Sequence, residues 1–152
     1  AMGGSSRSRS TADSPGSDAP SLHRAIAIVR CVEVTTMKTS TILKRAKKLI
    51  SDPKRWTQHA FAKAANGNVI GPESDNAVCW CSIGALRKAS FGTGCYGRAE
   101  AMLEMAAKRF QIQIYRQTYP DDVNDQRDHA TVLRMFDSAI RLAERQEASG
   151  QR

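Results

Sequence analysis

Long apolar runs are missing from this 152-residue sequence. Its most apolar stretch, AIAIVRCVEV from Ala25, is interrupted by Arg30 and is far shorter than the ~20 residues a membrane helix needs. Neither a transmembrane segment nor an ordinary signal peptide is visible, and a soluble, cytoplasmic protein is expected. With no secretion signal, the four cysteines, Cys31, Cys79, Cys81 and Cys95, read as free thiols in a reducing compartment rather than as a disulfide framework. Apolar residues are also lacking at the start. The opening AMGGSSRSRSTADSPGSDAP is rich in Ser, Gly, Pro and Arg and cannot offset the entropy of ordering. Residues 1–36 are therefore expected to be disordered or extended, with AMG resembling a cloning scar. Arg7 stands where N-myristoylation would want Ser or Thr, which gives that lipid anchor little weight. No internal repeat, strong catalytic motif or cofactor motif is present.

Acidic residues are scarce in one region only. Residues 37–63 hold eight basic side chains and one acidic, residues 1–36 hold four and three, and residues 64–152 hold eleven of each. The net charge of +8 is thus concentrated in MKTSTILKRAKKLISDPKRWTQHAFAK, which points to a local anionic partner rather than to a generally cationic surface.

The periodicities predict a mainly α fold, a compact bundle of about four helices with a small β-hairpin over residues 37–148, and a disordered end at 149–152. Ser40 can cap a helix running to about Ser51, with Ile42, Leu43, Ala46, Leu49 and Ile50 on one stripe and Lys44, Lys47 and Lys48 opposite. Asn66-Gly67 between short apolar segments predicts a hairpin. Asp75 or a neighbour caps a second helix that contains DNAVCWCSIGALRKA and ends near SFGTG. Arg98–Phe110 reads as a third helix, QIQIY as a short strand and PDDVNDQRD as a polar loop. The last helix runs from about Arg127 to Glu147, with Val132, Leu133, Phe136, Ala139, Ile140 and Ala143 inward.

The spaced residues Trp56-Thr57-Gln58, Trp80-Cys81-x-x-Gly84-Ala85-Leu86, Asn124-Asp125 and the closing HATVLRMFDSAIRLA resemble a family of small bacterial and phage proteins classed as a domain of unknown function. In that family a Trp often precedes Asn-Asp, where Val123 stands here. The resemblance implies a compact helical domain of bacterial or phage origin and supplies no activity.

Three functional readings compete. On a continuous helix Cys79 and Cys81 project about 200° apart, so they cannot grip one metal, and no four-ligand spacing completes a zinc site. No metal or other cofactor is expected. A cysteine-dependent hydrolase or transferase would use Cys81 as a nucleophile activated near a helix N-terminus, His129 as base and Asp125 as orienting acid. The bland reading makes both thiols core packing, with Gly84 marking a close approach by another element. The third reading takes Lys44, Lys47, Lys48, Lys54 and Arg55 as anion contacts with Trp56 beside them. No recognition-helix, RNA-binding or zinc-finger signature accompanies this set, so the partner can be protein or nucleic acid. The expected function is a non-catalytic accessory or regulatory protein that binds a macromolecular partner through this basic face.

Overall fold

The computed structural model describes residues 37–110, 112 and 117–150, all within the unit spanning 34–152. Helix α1 (Thr39–Leu49) is followed by a 3-10 turn at Pro53–Arg55, strands β1 (Ala62–Ala64) and β2 (Ala77–Trp80), then helices α2 (Ser82–Ser90), α3 (Tyr96–Ala107), α4 (Pro120–Gln126) and α5 (His129–Ala148). The fold is mainly helical with a small antiparallel sheet, and the described residues form five α-helices rather than about four.

The core follows the helical stripes. Ile42, Leu43, Ala46 and Ile50 from α1 meet Val132, Met135, Phe136, Ala139 and Ala143 from α5, Leu86 from α2, and Ala99, Leu103 and Ala106 from α3. Phe136, Leu43, Ile42, Leu86 and Leu103 are wholly buried, each burial being worth roughly 1.5–3 kcal/mol. Helix α5 packs along α3 and α1, and α1 also packs along α2, so α1 is shared by two helix interfaces.

Three local expectations change. Ser40 does not cap α1, because Lys38 holds that position and Ser40 lies inside the first turn. Its N–H and hydroxyl instead donate to the Glu147 carboxylate at 2.9 and 2.7 Å, so an acid from the end of α5 serves the orphan donors of α1. The polar loop is partly helix α4. Pro120 opens it with its ring preset for a first turn, Asp121 and Asp122 suit the helix N-terminus, and Asp122 accepts the Tyr119 N–H at 2.8 Å. Asp128 then caps α5 by accepting from Thr131 N–H at 2.7 Å, which moves that helix start from Arg127 to His129.

The largest revision concerns AVCWCSIGALRKA. Its first four residues are strand β2, paired with β1 through Ala62↔Trp80, Lys63↔Cys79 and Ala64↔Ala77. Cys81 is the N-cap, and only Ser82–Ser90 is helical. Cys79 and Cys81 are therefore not on one helix. The Asn66-Gly67 turn forms where expected, with Gly67 at φ +84° and its N–H donating to the Ala64 carbonyl at 2.9 Å. The returning chain touches β1 through a Lys63↔Val69 bridge, while the regular sheet partner of β1 is β2. The other edge of β2 meets Trp56 and Thr57, whose N–H donates to the Trp80 carbonyl at 3.1 Å. Gly84 answers its expectation: a Cβ there would lie 1.8 Å from the Phe61 carbonyl oxygen, which also accepts the Cys81 N–H at 3.1 Å. The QIQIY strand falls mainly outside the described residues, as do residues 1–36, expected to be disordered or extended, and Cys31 among them.

Candidate functional site: a basic groove beside an asparagine junction

The basic face of α1 divides into two edges. On one, Lys44 Nζ lies 2.6 Å from Glu144 Oε1 and Lys47 Nζ lies 2.6 Å from Asp137 Oδ1, both acids belonging to α5. Exposed pairs of this kind contribute about 0.2–1 kcal/mol each, yet they cancel two of the lysine charges locally. On the other edge, Arg45, Lys48, Leu49, Arg55, Lys88 and Ala89 line an open groove of about 370 Å³. Leu49 and Ala89 supply apolar surface and four cations line the groove with them. Arg55 rests with its guanidinium carbon 5.3 Å from the Trp80 ring centroid, a stacked position that orders the side chain without neutralising it. Arg45 donates to Met37 Sδ at 3.2 Å. Lys88 donates to the Glu73 and Ser74 carbonyls at 2.8 and 3.4 Å and lies 3.5 Å from Asp75 Oδ1.

Helix geometry works against anions here, and the magnitudes decide the sign. The groove takes residues from the last turns of α1 and α2, whose dipoles place about half a negative charge at each C-terminus. Four side-chain cations against about one negative charge from the helix ends and the single Asp75 carboxylate leave the groove positive.

Behind the groove a buried junction gathers the spaced Trp-Thr-Gln, Trp-Cys and Asn-Asp segments. Asn124, wholly buried on α4, accepts at Oδ1 from Trp56 Nε1 (2.8 Å) and Ser82 N–H (2.9 Å). Its Nδ2 donates to the Thr57 carbonyl (3.1 Å) and Asp125 Oδ1 (2.8 Å). All four hydrogen-bonding positions of the carboxamide are used, which fixes its orientation. Gln58 Nε2 donates to the Asn124 carbonyl at 2.9 Å, and the Ser82 hydroxyl donates to the Pro120 carbonyl at 3.1 Å. Trp56 is thus committed: its indole N–H serves Asn124 and its ring sits 5.4 Å from that of His129. Lys54 is exposed on the 3-10 turn and does not line the groove.

Cys81 is 5 % exposed, and its sulfur accepts the Gly84 N–H at 3.3 Å. Burial pushes the thiol pKa up, the N–H groups of Gly84 and Ile83 pull it down, and the Asp125 and Asp121 charges add to the rise. Desolvation therefore outweighs the helix start, opposite in direction to an activated thiol. His129 Nε2 lies 2.6 Å from the Ile50 carbonyl oxygen, so the ring donates there. Asp125 orients a different imidazole, accepting the His59 backbone N–H at 2.9 Å and lying 3.3 Å from His59 Nδ1. His59 holds the left-handed φ of +61°, a strained conformation that the Asp125 contacts sustain.

The model of a family described as a family of unknown function, DUF6197, matches residues 34–142. The chain belongs to this family. No match was found among curated proteins or among solved structures. The span matched by the family contains every groove residue and every partner of Asn124, and it stops before Glu144 and Glu147. Among the described residues no helix is long and apolar enough to cross a membrane.

Sequence reading placed Lys48 and Arg55 in the site but missed Arg45 and Lys88. Arg45 stands directly beside Lys44 and was detectable from the same charge run, whereas Lys88 reaches the groove only because α2 packs along α1. The four-way role of Asn124 carries no local signature beyond an Asn in a polar segment.

Proposed function

We propose that the chain is a small non-catalytic accessory or regulatory protein of bacterial or phage origin that works in the cytoplasm and binds a macromolecular partner through its basic face. The observation supporting this reading most is the groove that Arg45, Lys48, Arg55 and Lys88 line together with Leu49 and Ala89. Within the basic set anticipated from sequence, the binding role narrows to Lys48 and Arg55, because Lys44, Lys47 and Trp56 already have partners inside the domain. The free thiols of Cys79, Cys81 and Cys95 suit a reducing compartment. The cysteine-dependent hydrolase or transferase built on Cys81, His129 and Asp125 draws less support, since the thiol pKa is raised and Asp125 and His129 serve His59 and Ile50.

The test is fluorescence anisotropy with labelled polyglutamate as the anionic probe. Binding should weaken steeply as salt rises, and Lys48→Glu with Arg55→Glu should weaken it about tenfold or more, about 1.4 kcal/mol. Lys44→Gln should leave it within about twofold, since screening of an already paired surface charge changes little. Equal loss in both variants would show a diffuse charge effect and defeat the groove assignment.

A further inference from the structure

We infer that the groove receives an acidic peptide segment of a protein partner, one that places an apolar side chain on Leu49 and Ala89 between carboxylates held by Arg45, Lys48 and Arg55. This deepens the proposed anion-binding reading and rests on it.

Three observations separate a peptide from a nucleic acid. The first is the mixed lining: Leu49 and Ala89 share the groove with the cations, and among the described residues no aromatic ring lines it on which a base could stack. Trp56 is unavailable for that role because its indole N–H is spent on Asn124 and its ring packs near His129. The second is the charge footprint. Pairing of Lys44 with Glu144 and of Lys47 with Asp137 removes the continuation of positive charge along α1, so the cations form a cluster around one cavity rather than a track for a phosphodiester backbone. The third is the pair of helix ends. Leu49 and Ala89 belong to the last turns of α1 and α2, whose negative dipole ends disfavour a densely charged polyanion. A phosphodiester backbone brings a full negative charge with every nucleotide to those ends, whereas a peptide can set neutral residues there between its carboxylates. A short acidic segment with one apolar anchor therefore matches the cations, the apolar floor and the helix ends together.

Three labelled probes distinguish the outcomes with the full chain: a short Asp/Glu-rich peptide with one central leucine, the same peptide with serine in place of that leucine, and a single-stranded oligonucleotide of equal charge. The leucine peptide should bind about tenfold more tightly than the serine peptide, as expected for burying part of one aliphatic side chain. Lys48→Glu with Arg55→Glu should abolish that binding, and circular dichroism should confirm the helical fold of the variant. Equal binding of the two peptides, or tighter binding of the oligonucleotide with the same sensitivity to Lys48 and Arg55, would overturn the peptide assignment while leaving the anion site standing. Failure of all three probes to bind would overturn the site itself.

Discussion

The Asn124 junction and the basic groove sit in the same helical unit and treat polar groups in opposite ways. At Asn124 every hydrogen-bonding position is used: two donors arrive at Oδ1 and two acceptors receive Nδ2. At the groove, among the described residues, only Lys88 of the four lining cations lies against a carboxylate, that of Asp75. A saturated buried network stabilises a single arrangement of α4, α2 and the Trp56 segment, and substitution there leaves unpaired groups in a low dielectric. An unmatched exposed charge contributes little to folding and keeps its interaction for a partner. The expected signature is a clean division, with junction variants changing stability and groove variants changing binding.

Asn124→Leu should produce the largest effect. It strands the Trp56 indole N–H, the Ser82 N–H and the Thr57 carbonyl, and should cost about 4 kcal/mol in chemical denaturation, out of the ~5–15 kcal/mol available to a domain of this size. Asn124→Asp sharpens the point by setting a carboxylate against Asp125. It should be strongly destabilised at pH 7 and recover partly in acid, where one of the two carboxyls takes up a proton. A mild, pH-independent loss would mean that the junction is wetter than its burial implies.

Gly84→Ala comes next, at about 3 kcal/mol, because the added methyl would meet a backbone carbonyl rather than a movable side chain. Cys81→Ser should cost less, about 1 kcal/mol, through a hydroxyl placed where sulfur packs. In the parent chain the folded thiol pKa lies above its ordinary value of 9.0. The unfolded chain therefore loses that proton first as pH rises. The contribution of Cys81 is complete below pH 9 and is lost on climbing from there through the folded pKa, a slope that Cys81→Ser should remove. Alkylation should likewise stay slow in the native state, and fast labelling below pH 7 would revive the nucleophile reading. The smallest stability effect belongs to the groove, where Lys48→Gln should shift unfolding by no more than about 0.5 kcal/mol while weakening anion binding.

The sequence was most legible where one period governed a whole element. The stripes of α1 and α5 reappear as buried residues except for Leu49 and Leu133, which are only partly buried, and Gly84 disclosed a close neighbour that proved to be the Phe61 backbone. Legibility failed at β2, because AVCWCSIGALRKA is mostly apolar and the switch from strand to helix at Cys81 leaves no mark in hydrophobicity. It failed at α4 for the opposite reason, a helix of seven residues with so few apolar side chains that only Pro120 and its acids announced it. The groove was half legible: charge density located α1, but α5 decided which lysines were neutralised and α2 contributed Lys88.

The clasp between Ser40 and Glu147 also sets a timetable for synthesis. These residues are 107 positions apart, so a ribosome has released nearly the whole domain before the carboxylate that completes the first turn of α1 exists. Until then the nascent α1 presents its apolar stripe without α5 and its N-terminal donors without Glu147, and the domain must close late, in one long-range step. Pausing translation just before His129 would hold this protein in a state whose first helix is translated but still waiting for its last.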